Sequence, residues 1–336
     1  MDFTGRVLAW YQRHGRHDLP WQVPDPYLRW LAEIMLQQTT VTAARPYFER
    51  FRARFPTLET LAQAPLDDVL ALWSGLGYYA RARNLHASAR LVMDRHQGRF
   101  PQTLPELLAL PGIGLSTAGA ILAFAFGIPA SILDANVRRV LSRYHGITDR
   151  DAKATRRLWE HARAYTPTHD VADYTQAIMD LGALVCRKAP QCSICPLVSA
   201  CSFKGEEPPP ARRARPERSV VMALIYQANA GLLLLRRPAS GVWGGLWSLP
   251  ECPTLPDLTP YLASLGFEAA PGAPGAVLRH VFTHFALSIT PVPVLLTNIG
   301  TCASENRDMM WYQRCAAEPG MPAPVRRLVN QFLETT

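Results

Sequence analysis

The sequence predicts two domains, the first almost wholly helical and the second a mixture of strands and helices. Three observations carry that prediction. At 336 residues the chain is longer than one core usually organises, so two are expected. The apolar repeat is helical up to residue 203 and alternates from residue 219 onward. Between them, KGEEPPPARRARPER (204–218) holds four prolines and five basic residues with nothing to bury, which reads as an exposed, semi-extended linker. The expected boundaries are therefore 1–203, 204–218 and 219–336.

In the first domain, MDFTGRVLAWYQRHG opens as an amphipathic helix. PYLRWLAEIMLQQ places Tyr27, Leu28, Leu31, Ile34 and Met35 at helical spacing, and LDDVLALW and YTQAIMDLGALV repeat the pattern. Prolines 56, 65, 101, 105 and 111 mark helix starts or the gaps between helices. In the second domain, SVVMALIYQANAGLLLLRR reads as two strands about an Asn-Ala-Gly turn. LRHVFTHFALSI alternates Phe285, Leu287 and Ile289 with smaller or polar residues, and VRRLVNQFL supplies a closing helix.

Hydrophobic content of 48% and charged content of 18% fit a soluble globular chain, and a net charge of +8 points to an anionic partner, nucleic acid ahead of membrane. No signal segment is seen, and no apolar run reaches the roughly 20 residues of a membrane helix. Seven cysteines, four of them within 186–201, suit metal ligation in a reducing cytoplasm better than a disulfide framework.

Several stretches carry chemistry. In LPGIGLSTAGAIL (110–122), Gly112 and Gly114 permit a tight turn, and the amides that open the following helix can meet a phosphate. An ordinary turn between packed helices has the same residues. Asp134 stands before a helix pattern of Val137, Val140 and Leu141, where it serves as an N-cap or faces a cleft. Glu33 sits among Trp30, Leu31, Ile34, Met35 and Leu36, so its carboxyl is expected to be desolvated and to hold a proton near neutrality. A protonated Glu beside an ionised Asp is the pair that expels a leaving group from a sugar carbon. Cys186, Cys192, Cys195 and Cys201 form C-x5-C-x2-C-x5-C, four thiolates that suit zinc or a [4Fe-4S] cluster equally by spacing.

Taken together, LPW (19–21), AEIMLQQTTV, GLGYYARARNLH, LPGIGLSTAGAIL, ILDANVRRVL, QAIMDLGALVC and the cysteine cluster resemble the helix-hairpin-helix base-excision DNA glycosylases, within them the MutY type. That resemblance implies an all-α helix-hairpin-helix glycosylase domain with a four-cysteine cluster loop and an α+β Nudix-like C-terminal domain. It implies a monofunctional enzyme that hydrolyses the N-glycosidic bond of adenine opposite 8-oxoguanine or guanine in double-stranded DNA, acting as a cytoplasmic, nucleoid-associated monomer. Glu33 matches the proton donor, Asp134 the group that stabilises the sugar cation, and Asn136 a third member of that constellation. Trp21, Gln22 and Gln176 match the adenine pocket. Gln38, Thr39, Leu76 and Tyr78 match the wedge that fills the gap left by an extruded base, with Arg81 and Arg83 near the DNA backbone. One of Tyr78 and Tyr79 is expected to be core. Gly112, Gly114 and Ser116 belong to the DNA-gripping hairpin.

The resemblance favours [4Fe-4S] over zinc, although its first cysteine spacing is six where this chain has five. Phe282, Thr283 and His284 fall on its 8-oxoguanine-sensing loop, with Thr in place of Ser. Residues 251–270 offer only Glu251, Asp257 and Glu268, too few acids for a Nudix hydrolase, so the second domain reads as a binding module. Cys252, Cys302 and Cys315 read as core or surface thiols. Two other readings are an endonuclease III-like glycosylase/lyase, which needs an amine where this chain has Ser116, and a non-catalytic DNA-damage binding protein.

Overall fold

The computed structural model describes residues 2–205, 215–296 and 308–335. Most of the expected linker (206–214) and Cys302 lie outside the described residues. The helices are α1 (Phe3–His14), α2 (Pro26–Leu36), α3 (Val41–Arg54), α4 (Leu58–Gln63), α5 (Leu66–Trp73), α6 (Ala80–His96), α7 (Leu104–Leu108), α8 (Leu115–Phe126), α9 (Ala135–His145), α10 (Ala152–Tyr165) and α11 (Val171–Asp180). Two compact units emerge, one of residues 1–64 and 83–209, the other of residues 65–82 and 210–336. Residues 65–82, with α5, thus group with the C-terminal unit rather than with the helices that flank them in sequence.

In the first unit, side-chain caps set the helix starts that the sequence signals. Asp25 accepts from the Tyr27 and Leu28 amides ahead of α2, with Pro26 at the first helical position. Asp2, Thr40, Thr57, Asp134 and Asp151 cap α1, α3, α4, α9 and α10 in the same way. Helix α2 is apolar almost all round: Trp30, Leu31, Ile34 and Met35 are fully enclosed, and burial of each such side chain contributes roughly 1.5–3 kcal/mol. A helix buried this way leaves Glu33 little solvated face.

The periodicity of QAIMDLGALV predicts one continuous helix, but α11 ends at Asp180 and a π-helical turn follows over Leu181–Val185. Two close contacts flank the widening. Asp180 is completely buried and ion-paired to Arg16, and a Cβ at Gly182 would lie 2.7 Å from that of Asn136. The turn delivers Cys186 to its loop.

The second unit is built on a sheet of β1 (Glu217–Gln227), β2 (Gly231–Arg236), β3 (Trp247–Ser248), β4 (Glu251–Cys252), β5 (Leu278–Val281), β6 (Ala286–Leu295) and β7 (Met309–Tyr312), in the order β3-β2-β1-β6-β5. Strands β4 and β7 pair β1 and β2 off that path. The β1–β6 pair is parallel, Glu217 opposite Ala286 through Tyr226 opposite Leu295, and the other pairs are antiparallel. Helices α12 (Leu258–Ser264) and α13 (Ala323–Thr335) complete it. The Asn-Ala-Gly turn forms as expected, with Gly231 at φ +100°. LRHVFTHFALSI is not one strand: β5 and β6 fold back on each other at Phe282–Phe285, where the Phe282 N–H donates to the Phe285 carbonyl at 2.8 Å. Glu251 is held by both ends of the Arg237 guanidinium at 2.7 and 2.9 Å, and Asp257 accepts from the Thr254 amide. Cys252 is buried and Cys315 exposed.

Candidate active site and nucleic-acid interface

In the first unit, Glu33 and Asp134 come within electrostatic reach of each other. Glu33 keeps some contact with solvent, yet its carboxyl lies among protein atoms. Burial pushes that carboxyl up to about 7; the neighbouring Asp134 adds to the rise and Arg29 opposes it. Arg29 lies one helical turn before Glu33 on α2, its Nε donating to the Val23 carbonyl at 2.9 Å and its guanidinium lying 4.9 Å from the Phe124 ring centre. Sequence reasoning passed over Arg29, because a lone arginine in a helix reads as a solvated face.

Asp134 is the N-cap that the sequence offered, and its second oxygen is engaged by Asn136. Its Oδ1 accepts the Val137 amide at 2.8 Å as N-cap of α9, while Oδ2 accepts from Asn136 Nδ2 at 3.1 Å. The helix N-terminus favours negative charge at that position. Asn136 Oδ1 in turn accepts from Arg139 Nη2 at 2.8 Å, and Arg139 also donates to the carbonyls of Gly182 and Cys186, each at 2.6 Å. A continuous set of hydrogen bonds therefore runs from Asp134 to the first cysteine of the loop. Ser116 Oγ accepts the Leu133 amide at 3.1 Å, holding the residue that precedes Asp134.

The three residues matched to a base pocket differ in what they leave free. Trp21 is 3% exposed and packs edge-on against Phe48, so it is a core residue here. Gln22 spends both ends on its own loop, Oε1 accepting from the Leu19 amide at 3.0 Å and Nε2 donating to the Arg16 carbonyl at 2.8 Å. Gln176 donates Nε2 to Asp180 at 2.8 Å and keeps its oxygen unbonded.

At the hairpin, Gly112 adopts φ +80° and is exposed, and Gly114 opens α8 without a side-chain cap. Leu115 is exposed beside it. Gln37 donates to the Gly112 carbonyl and to Thr117 Oγ1, each at 3.2 Å, fastening the end of α2 to the turn. Gln38 is exposed and holds a left-handed φ of 56°, and Thr39 is half-buried with its hydroxyl donating to the Gln37 carbonyl.

Cys186, Cys192, Cys195 and Cys201 all line one cavity of about 60 Å³, together with Arg143, Val185, Pro190 and Phe203. Arg143 is buried, donates to the Cys186 sulfur at 3.4 Å and to the Arg187 carbonyl at 2.6 Å. Burial pushes the Cys186 and Cys195 thiols up, and Arg143 works against this at Cys186. Among the described residues no three His, Cys, Asp or Glu side chains gather closely enough to hold a single ion.

In the second unit, Tyr78 is 44% exposed at φ 49°, and its hydroxyl lies 2.9 Å from Thr283 Oγ1. Tyr79 is the core member of the pair, its hydroxyl accepting from the Gly75 amide. Leu76 and Arg81, expected at the DNA surface, are both buried. Arg81 holds the Tyr78 loop from beneath by donating to the Gly77 carbonyl at 3.2 Å, and burial pushes its guanidinium down to about 10, an effect Tyr78 partly offsets. Thr283 and His284 are exposed at the tip of the β5–β6 hairpin. Phe282 anchors it, stacked on Phe285 at 4.4 Å and packed on Trp243 and His280.

Residues 31–164 match the model of the HhH-GPD superfamily base excision DNA repair proteins, and residues 220–331 match a NUDIX domain. A solved thermostable thymine-DNA glycosylase is 29% identical and superposes with a TM-score of 0.54, over 60% of this chain and 94% of that one. The human adenine DNA glycosylase is 34% identical over 74% of this chain and 57% of its own length. The adenine DNA glycosylase of Buchnera aphidicola subsp. Acyrthosiphon pisum is 36% identical, with 98% of this chain and 97% of that protein aligned. With both units covered by that alignment, the chain belongs to the adenine DNA glycosylase family.

Proposed function

We propose that this chain is a monofunctional glycosylase that releases adenine mispaired with 8-oxoguanine or guanine in duplex DNA, by hydrolysis of the N-glycosidic bond. The observation that carries the reading is the desolvated Glu33 carboxyl beside Asp134. Glu33 protonates the departing base, and the carboxylate of Asp134, held by the Val137 amide and Asn136, faces the positive charge that develops on the sugar. Water completes the substitution. The test is incubation of the purified chain with duplexes carrying A opposite 8-oxoguanine, A opposite G, or an oxidised pyrimidine, with and without alkali. Release of adenine only, with strand breaks only after alkali, supports the reading. Cleavage of the pyrimidine duplex overturns it.

Ser116 has no amine and its hydroxyl is engaged by Leu133. Borohydride added during turnover is therefore expected to trap no protein–DNA adduct, read on a denaturing gel; a stable adduct would reveal lyase chemistry through an imine.

The paired hydroxyls of Tyr78 and Thr283 offer one donor and one acceptor, which supports a role in sensing the base opposite the adenine. Both belong to the second unit, where α5 is also fastened by Asp67 to Arg236 and by the Ser74 hydroxyl to the Met321 carbonyl. Deleting 219–336 is expected to lower excision opposite 8-oxoguanine more than tenfold relative to wild type, and to reduce A:G excision as well, since the Tyr78 loop loses its support. An unchanged A:8-oxoguanine rate would remove the sensing role.

For the cysteine loop we infer a [4Fe-4S] cluster held by Cys186, Cys192, Cys195 and Cys201. Four thiols line one cavity, a donor set that fits a [4Fe-4S] cluster, and the family resemblance favours that cluster over zinc. When bound, the cluster supplies structural cross-linking of residues 186–201 and no open coordination site. The purified protein is expected to be brown, with a broad visible absorption band that bleaches as iron is lost; a colourless protein with one equivalent of zinc overturns the assignment.

A further inference from the structure

Asp180 is the most completely buried ionisable group of the first unit among the residues with polar partners named above, and it has no part in the chemistry assigned to Glu33 and Asp134. Its oxygens are fully occupied. Oδ2 accepts the Arg16 backbone amide at 2.7 Å, and Oδ1 accepts from Arg16 Nε at 3.0 Å, from Arg16 Nη2 at 2.5 Å and from Gln176 Nε2 at 2.8 Å. Both oxygens accept from Arg16, whose side chain is only 25% exposed, so neither is left to donate toward Gln176. Gln22 secures the arrangement from the other side by donating to the Arg16 carbonyl.

An acceptor-only neighbour fixes the polarity of an amide. A glutamine can present either end to a hydroxyl or to water, but against a carboxylate it must present its NH2. Gln176 is 6% exposed, yet its Oε1 has no partner among the described residues and is not sealed from solvent. The side chain is thus held with its acceptor outward. The same neighbourhood leads to Glu33: Tyr11 lies within electrostatic range of Asp180 and of Arg29, and Arg29 within range of Glu33.

We propose that Asp180 is a specificity-determining positioning residue, which by claiming the Gln176 nitrogen leaves the Gln176 oxygen to accept a hydrogen bond from the exocyclic amine of an extruded 6-aminopurine. The proposal rests on the reading above that Gln176 faces the base. A 6-oxopurine of the same shape sets carbonyl against carbonyl there, and two acceptors facing each other in a closed site are rejected at least about tenfold. Polarity, rather than size, then separates adenine from hypoxanthine.

The experiment is single-turnover excision by the full chain on three duplexes, with adenine, hypoxanthine or unsubstituted purine opposite 8-oxoguanine. The readout is the ratio of adenine to hypoxanthine rates within each protein, which a general loss of stability does not move. Asp180→Asn gives the amide of Gln176 a donor to face, so its nitrogen can turn outward, and the ratio is expected to fall at least about tenfold from the wild-type value. Gln176→Leu leaves the Arg16–Asp180 pair intact and is expected to flatten the ratio, with adenine falling toward the rate of unsubstituted purine. A ratio unchanged in folded Asp180→Asn, or unchanged in Gln176→Leu, overturns the proposal; if Asp180→Asn fails to fold, Gln176→Leu decides alone. A wild-type protein that releases no adenine at all refutes the glycosylase reading instead, so the two failures are distinct.

Discussion

Glu33→Gln is expected to lower single-turnover adenine release by about 10²–10⁴-fold while duplex binding stays within a few-fold of wild type. The carboxamide keeps the shape and the burial of the side chain but has no proton to give. Two further consequences separate an acid from a structural glutamate. With the carboxyl pushed up to about 7, the wild-type rate should be flat at lower pH and fall about tenfold per unit above that value. Arg29 opposes the rise, so Arg29→Leu should carry the falling limb to higher pH. Stability moves in the opposite sense to activity. A carboxyl raised from 4.5 to about 7 by folding costs nothing below 4.5 and its full penalty above 7. Glu33→Gln should therefore melt higher than wild type at pH 8 and equally at pH 4. A variant that keeps substantial excision, or a melting difference that does not grow with pH, would remove Glu33 from the acid role. Retained binding with lost excision would also set aside a purely DNA-binding protein.

The chemistry was legible where local sequence determines environment. Glu33 could be read as desolvated because the residues on either side of it, 30–32 and 34–36, are all apolar, and Asp134 as a cap because capping is a local pattern. Most positions that escaped have partners far along the chain, and the rest are consumed within their own loop. Arg29 and Arg139 look like solvated arginines until Val23 and Phe124 surround the first, and Gly182 and Cys186 close on the second. Trp21 and Gln22 occupy the expected loop, but one is enclosed by Phe48 and the other is consumed by Leu19 and Arg16. In the second unit, the apolar positions change phase between Phe282 and Phe285, which marks a turn there, but period alone could not show that β5 and β6 pair back on each other. Nor could it show that residues 65–82 belong there, since Asp67 and Arg236 are 169 positions apart. The close approach of Asn136 to Gly182 in the π-helical turn is again between distant residues.

Arg139→Ala is expected to lose both the visible band of the cysteine loop and most adenine excision. One guanidinium serves three acceptors, Asn136 Oδ1 and the carbonyls of Gly182 and Cys186, and leaving such an acceptor unpaired costs roughly 1–3 kcal/mol. On one side, the Cys186 carbonyl loses its 2.6 Å bond to α9 and keeps only the longer one from Arg143 at 3.4 Å, so the first thiol of the cysteine loop is held less firmly. On the other, Asn136 loses the partner that orients its amide toward Asp134 Oδ2, and support of this kind is typically worth 10–100-fold in activity or metal affinity. Arg139→Lys should rescue little, because a single ammonium cannot reproduce a planar fork aimed at three oxygens. Asn136→Ala divides the two directions. It cuts the link to Asp134 and leaves the Cys186 and Gly182 bonds in place, so excision should fall while the absorption band persists. If Arg139→Ala kept its iron and its rate, the hydrogen bonds between Asp134 and the cysteine loop would be packing without consequence. If Asn136→Ala lost the band as well, the loop would depend on the Asp134 side for its order rather than on Arg139 itself.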